Sequence, residues 1–464
     1  MIRISRSFSI SLAVAILCTI PVLAGDRPII RASKPVVGYY FVRMKARTFT
    51  WLETGKQVVA QASGRYLDSF PDIKTLFVQL SEAQAVRINA NPFVEAVEED
   101  SELSIVVTNP QTGVDSPPSG SGAATLWGLD RIDQPYIGAP RLDNSYGWCS
   151  DGTGVRIYMI DTGVYPGHDE FTGRVDTAPD LQTYLHNFIC PTTGTACDLG
   201  YQCWDNRGGS TYFTAAASHG TATASVAAGI NLGVAKGATL VDARGADCYG
   251  RVDTYRVTKI VDWICRLDLN RTPGRMVINM SFSGLYAQGD PNYQALQSEI
   301  NTAVDTYNIP VVCAAGNDSA NEFWYSPGNA IRAITVGGLS KVSDTIWSVS
   351  STYGSNYGYT VSFYAPAQYV EGASTFVRQI FGNTLYRSQL SDCASYTDTC
   401  TSGTSFAAPH MAGVIARYLQ LRPGATRDQI VSDLQNLNGL RSGATVTEPG
   451  GRSVPVLVIG WCTQ

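Results

Sequence analysis

Charge is scarce in this chain, and none of it is blocked. Asp, Glu, Lys and Arg make up 16% of 464 residues, and 34 basic against 39 acidic side chains leave a formal net charge of −5. Lys and Arg nowhere cluster as a nucleic-acid-binding face requires, so no nucleic-acid partner is expected. Long apolar runs are missing beyond the N-terminus, and no later segment reaches the length of a bilayer-spanning helix. Cys-x-x-Cys spacings are absent, which argues against a structural zinc site; no metal and no cofactor is expected. No internal repeat appears, which excludes a solenoid. Histidine is rare, with four in the whole chain, so each one is informative. What remains is a 44% hydrophobic sequence long enough for one large α/β domain and a smaller companion.

The first residues stand apart. Arg3 and Arg6 precede an apolar stretch from Ile10 to Ile20, and Val22-Leu23-Ala24 offers a small residue before a cut near Ala24–Gly25. That order describes a secretory signal peptide over residues 1–24 and a secreted, extracellular product. A membrane anchor is the alternative, for which the run is short. Eleven cysteines are present. Cys18 leaves with the signal; for Cys149, Cys190, Cys197, Cys203, Cys248, Cys265, Cys313, Cys393, Cys400 and Cys462, disulfides are the default in an oxidising compartment. Cys313 lies in an apolar run and has a second reading as a buried free thiol.

Residues 25–107 read as a small unit. Val36–Val42, Thr75–Leu80 and Phe93–Asp100 have strand character, and Ser81 is the N-cap of a helix opening at Glu82. Residues 108–124 are rich in Pro, Gly, Ser and Thr, a linker of the kind that proteases nick. Residues 125–464 form the main domain. Val155–Ile160, Thr239–Asp242, Met276–Met280, Ile309–Cys313 and Ala333–Val336 are near-continuous apolar runs between helical patterns, as in a parallel sheet covered on both faces. Pro310 belongs at the first position of its strand.

Three segments carry chemistry. Ile160-Asp161-Thr162-Gly163 ends a strand in a carboxylate at the edge where α/β sheets bind ligands, although many plain turns share the pattern. Ser218-His219-Gly220-Thr221 opens an Ala-rich helix, where His219 is either a cleft imidazole or a capped core residue. Ser402-Gly403-Thr404-Ser405 precedes a helix that Pro409 places near Ser405, since proline is tolerated in a first turn. Ser405 is then either an N-cap or a nucleophile at a positive helix end.

In this order and context the three segments resemble the catalytic signatures of the subtilisin-like serine proteases, most of all the proteinase K branch. Ala314-Ala315-Gly316-Asn317 resembles the family's oxyanion-hole stretch. Ser281-Phe282-Ser283-Gly284 resembles the wall of its primary specificity pocket. Trp127–Asp133 resembles the start of the mature enzymes. Residues 31–102, with the Asn91-Pro92-Phe93-Val94 turn, resemble the inhibitory pro-segment. The resemblance implies a parallel-sheet catalytic domain flanked by helices and preceded by a small α+β pro-domain. It implies Ser405 as nucleophile, His219 as base, Asp161 as its orienting acid, and Asn317 with the Ser405 N–H as oxyanion donors. Ser281–Gly284 and Ala314–Gly316 would bind substrate. The expected partners are protein and peptide substrates and the chain's own pro-segment, which it would remove itself within 108–124; a monomer is expected.

Three departures from the family pattern matter. Ser283 stands where the family usually has Gly, and its hydroxymethyl would narrow the pocket against large aromatic residues. Ser362 stands where proteinase K-like enzymes hold calcium with an Asp, so weak or no calcium dependence is expected. The family's disulfide partner near Ala333-Ile334-Thr335 is missing. Of the sequons at Asn270, Asn279 and Asn317, only Asn270 suits a glycan. Two other classes remain. A non-catalytic binding protein would usually lose part of the triad. A lipase or esterase would place its serine in a G-x-S-x-G elbow, whereas Gly403-Thr404-Ser405-Phe406-Ala407 lacks the second Gly.

Overall fold

The computed structural model describes residues 28–104, 126–134, 146–186, 219–286, 294–373, 400–440 and 443–459 and a few positions between them, except 172, 248 and 249. The signal segment, the linker and most of the cysteine loops lie outside the described residues.

The N-terminal unit runs β1 (Pro35–Met44), α1 (Trp51–Gln61), β2 (Arg65–Phe70), β3 (Thr75–Gln79), α2 (Glu82–Asn89) and β4 (Val94–Ser104). Ser81 caps α2 as expected: its hydroxyl accepts from the Gln84 N–H while the Gln84 side chain accepts from the Ser81 N–H. That reciprocal pair satisfies two of the donors every helix start leaves open. Strands pair antiparallel in the order β2-β3-β1-β4. Alternation along β1 sorts its side chains. Tyr40, Val42 and Met44 pack with Val58, Leu76 and Ile88 in the unit's own core. Phe41 faces the other way, into the core of the main domain.

The main domain continues with α3 (Trp127–Ile132), β5 (Arg156–Ile160), β6 (Val175–Asp176), α4 (Pro179–His186), α5 (His219–Ala228), β7 (Thr239–Asp242), β8 (Arg251–Asp253) and α6 (Thr254–Arg266). It goes on through β9 (Met276–Met280), β10 (Gly284–Leu285), α7 (Ala295–Asp305), β11 (Val311–Ala314), β12 (Tyr325–Ser326) and β13 (Ile334–Leu339). After β14 (Ser348–Ser350) and β15 (Tyr353–Gly354) come β16 (Val361–Pro366), α8 (Thr404–Leu421) and α9 (Arg427–Leu440). Seven strands form one sheet in the order β16-β13-β11-β9-β5-β7-β6, and every neighbouring pair is parallel.

Both faces are covered, which is why the strands read as unbroken apolar runs. Tyr158, Ile160, Ile278, Met280, Val311 and Cys313 face α6 and α7. Ile157, Met159, Val277, Val312 and Ala314 face α5 and α8. Helix α6 presents Val257, Ile260, Val261 and Ile264 to the first layer, the i, i+3, i+4, i+7 stripe of an amphipathic helix. Cys313 is a buried free thiol. Cys265, expected in a disulfide, is also free: it sits on the packed face of α6, buried among apolar side chains. Cys149 is disulfide-bonded. Pro310 lies one residue before its strand and leaves the ladder intact, its carbonyl accepting from the Ile278 N–H at 3.0 Å.

The two units share one interface. Strand β8 adds to the edge of the N-terminal sheet, pairing antiparallel with β4 from Glu102↔Asp253 to Ser104↔Arg251. Phe77 stacks on Tyr255 of α6 with centroids 3.9 Å apart. Two β4 carboxylates cap helices of the main domain. Asp100 accepts from the Tyr255 N–H at 3.1 Å, and Glu98 accepts from the Ala295 N–H at 2.6 Å. A carboxyl oxygen at a helix start satisfies donors that the helix leaves open.

Candidate active site

The C-terminal ends of β5, β9 and β11 and the starts of α5 and α8 converge on one cleft. Asp161 follows β5 and is fully buried. Its carboxylate takes the His219 Nδ1 at 2.8 Å and 3.0 Å, the Thr223 hydroxyl at 3.1 Å and the Thr162 N–H at 2.7 Å. A carboxylate on Nδ1 leaves the other ring nitrogen, Nε2, as the one that can accept a proton. Nε2 is buried and has no hydrogen-bond partner among the described residues. Thr223 was not singled out by the sequence; its signal is position, four residues after His219 on the same helix face.

His219 is the first residue of α5. The helix start is pinned against the Asp161 turn by the absence of a side chain at Gly220. A Cβ there would stand 2.5 Å from the Gly163 carbonyl oxygen and 2.9 Å from its nitrogen. The Gly220 N–H donates to the Thr162 hydroxyl at 2.9 Å.

Helix α8 begins at Thr404, so Ser405 is in its first turn and Pro409 in the second. Pro409 therefore lies one turn deeper than expected, and it has no N–H to give the Ser405 carbonyl. The Ser405 hydroxyl donates to the Ser281 carbonyl at 2.9 Å. The ring of Phe406 meets that of His219 edge-on at 6.0 Å, which brings the two helix starts together. Asn317 follows β11. Its Oδ1 accepts from the Thr404 N–H at 2.9 Å and the Thr404 hydroxyl at 2.8 Å. That fixes the amide so that Nδ2 stands on the side of Gly403, 3.4 Å from where a Cβ would be. Thr404 is a second residue that the sequence did not announce.

Strands β9 and β11 part at their C-terminal ends. The strands pair as far as Cys313↔Met280. Beyond it the chain after β9 turns away, Gly284 pairing with Ser326 of β12, while β11 stays beside β13 with Ala314 opposite Val336. Ser281–Gly284 and Ala314–Gly316 lie where the two strands part. Phe282 contributes backbone only, since its side chain is buried in the core. Strand β4 ends in this cleft: Ser104 exchanges both backbone hydrogen bonds with Ser283, at 3.2 Å and 3.4 Å.

The carboxylate that calcium favours is missing where the sequence lacked it. The Ser362 hydroxyl donates to the Thr360 carbonyl at 3.3 Å, so this position does not fit that ion. Among the described residues, Asp72, Asp262 and Glu299 bring carboxylate oxygens within 4.8 Å of one another. Arg266 already grips both oxygens of Asp262, at 2.6 Å and 2.8 Å.

Comparison with known proteins agrees with this arrangement. Residues 152–440 match the family described as Subtilase family. The chain is 31% identical over 363 residues to the Extracellular serine proteinase of Thermus sp., covering 78% of this chain and 70% of that one. It is 31% identical over 380 residues to the Alkaline proteinase of Hapsidospora chrysogena, covering 81% and 77% respectively. A cold adapted subtilisin-like serine proteinase of known structure is 31% identical with a TM-score of 0.51, over 72% of this chain and 97% of that one. With a seven-stranded parallel sheet, an Asp–His pair and a serine at a helix start all in place, this chain belongs to the subtilase family of serine peptidases.

Proposed function

We propose that the protein is a secreted endopeptidase that cleaves peptide bonds through an acyl-enzyme at Ser405 and activates itself by cutting off its own N-terminal unit. The observation that carries the catalytic half is the buried Asp161–His219 pair, whose free Nε2 shares the cleft with Ser405. The reaction follows from those atoms. The Ser405 hydroxyl turns from the Ser281 carbonyl to His219 Nε2, gives up its proton and attacks the substrate carbonyl carbon. Asp161 holds the ring tautomer and stabilises the imidazolium. The oxyanion meets the Ser405 N–H at the positive end of α8 and the Asn317 amide, whose orientation Thr404 has already fixed. Collapse of the intermediate returns the proton from Nε2 to the leaving amine. Water then repeats the sequence on the ester, with the carboxylic acid as product.

The self-processing half is supported by the strand seated in the cleft. Ser104, the last described residue of that strand, is paired antiparallel with Ser283, two residues from Ser281. The Ser281 carbonyl is the group that holds the Ser405 hydroxyl. The strand therefore runs toward Ser405, and the bond to be cut is expected within the 108–124 linker that follows in the sequence. Until the cut strand leaves, it occupies the place of a substrate, and capping by Glu98 and Asp100 holds it there. The relatives' names support secretion, since that of Thermus sp. is an extracellular serine proteinase.

The test is Ser405→Ala. The variant is expected to accumulate as full-length precursor without caseinolytic activity, while wild type yields a mature chain whose N-terminus falls within the 108–124 linker. A mature chain of normal size from the variant refutes self-processing; casein hydrolysis by it refutes Ser405. Hydrolysis of lipid esters but not casein by the wild type would instead support an esterase.

A further inference from the structure

We propose that Asp242 is a positioning residue of the active site, a second buried carboxyl that acts through the Asp161–His219 pair and makes His219 the stronger base once Asp242 has lost its own proton. The inference rests on the peptidase reading above. Asp242 closes β7, beside β5 in the sheet, and stands opposite Met159. Side chains alternate between the two faces along each strand. Leu240 and Met159 pack in the layer toward α5 and α8, so Asp242 and Asp161 share that side. A strand spacing of about 4.8 Å and a rise of about 3.3 Å per residue put their Cα atoms about 8 Å apart. Helix α5, which His219 opens, covers this face through Ala224, Ala227 and Ala228. The loop after β7 is tied to the same turn, since the Asp161 carbonyl accepts from the Gly245 and Ala246 N–H groups at 2.9 Å and 3.0 Å.

The setting of Asp242 is not that of a structural acid. It is fully buried, and neither carboxyl oxygen has a partner at hydrogen-bond distance among the described residues. An acid left so is costly to fold around. Burial pushes the carboxyl up to about 7; Arg244 and the Val164 N–H oppose the rise, and the charge of Asp161 adds to it. Asp176 of β6 is paired with Val241, on the other face, and holds Arg156 at 2.7 Å. Helix α5 carries no titratable side chain except His219. Asp242 is therefore a neutral acid at the lower end of the neutral range and an anion at the upper end. Arg244 is positive throughout, so His219 feels the whole change. The added negative charge favours the imidazolium that forms as Ser405 gives up its proton.

The experiment follows kcat/KM on one peptide substrate from about pH 5.5 to about pH 9.5, in mature wild type and Asp242→Asn, each counted by fluorophosphonate titration. Asn copies the shape of the protonated acid and cannot ionise. The variant-to-wild-type ratio is expected to fall by about tenfold as pH rises through about 7, the scale of two unit charges about 10 Å apart at an effective dielectric near 20. A purely structural role would lower the ratio equally at every pH. Wild type alone carries the same signature, an acid limb that takes two ionisations to describe, which secures the test where the variant matures poorly. A ratio that stays constant across the range, or a wild-type limb described by one ionisation, overturns the proposal. Wild type that titrates no sites overturns the peptidase reading itself and the inference with it.

Discussion

Gly220→Ala is the smallest change that should disable the enzyme without touching a reacting group. The new methyl would sit 2.5 Å from the Gly163 carbonyl oxygen, about 0.9 Å inside an ordinary contact at 3.4 Å, with the Gly163 nitrogen and carbon at 2.9 Å and 3.1 Å. All three are backbone atoms, so no rotamer relieves the clash. Either the start of α5 lifts or the turn after Asp161 sinks, and both move His219 against its carboxylate. A displacement of about 1 Å from reactive geometry costs about 10²-fold in rate. Overpacking at a close-packed site costs about 1–3 kcal/mol of stability. The assay is kcat/KM on a peptide substrate, with the rate of fluorophosphonate labelling and a denaturant melt measured on the same preparation. The expected result is a loss of about 10²-fold in both rates on a molecule that still unfolds cooperatively. Wild-type labelling and turnover in Gly220→Ala would refute the claim that the glycine sets the His219 position.

Other substitutions separate the parts. Asp161→Asn should keep the fold, because the amide can still bond the ring, yet lower kcat by about 10⁴-fold through the wrong tautomer. Asn317→Ala should lower kcat by about 10²–10³-fold, a magnitude measured on subtilisin rather than worked from this geometry. Burial pushes the Glu98 carboxyl up to about 7, with the Ala295 N–H, Arg43 and Tyr286 pulling it back. A value raised on docking means that the complex favours the protonated acid. The hold of the cut N-terminal unit should therefore be full below the ordinary glutamate range and weaken as pH rises through about 7, and Glu98→Gln should flatten that dependence in a release assay. Chelation should leave activity intact, since Ser362 offers no carboxylate; rapid loss in chelator would contradict this.

The layers of the fold were legible because burial on both faces writes a plain signal. Five of the sheet's strands announce themselves as apolar β-branched runs, and each appears within two residues of its expected start. The two-residue strand at Val175 and the strand at Val361–Pro366, read only through the family resemblance, carry too little pattern of their own to be read from periodicity. Helix α1 was missed for a related reason: Trp51–Gln61 buries only Gly55, Val58 and Val59, too few for a clear stripe. The residues proposed as catalytic drew notice in the sequence because of their types and ordered contexts. Their supporting hydroxyls did not. Thr223, Thr162 and Thr404 are common residues whose roles arise only when distant segments meet. Cys265 illustrates the opposite error, in which a compartment rule suggested a bridge and local packing on α6 decided otherwise.

The central claim is that the hydroxyl of Ser405 is the one made nucleophilic. Mass-spectrometric mapping of mature enzyme treated with a fluorophosphonate reads that directly. The expected result is one adduct per chain, confined to the peptide that contains Ser405 and lost when His219 is replaced by Ala. An adduct on another residue, or full labelling without His219, would contradict it.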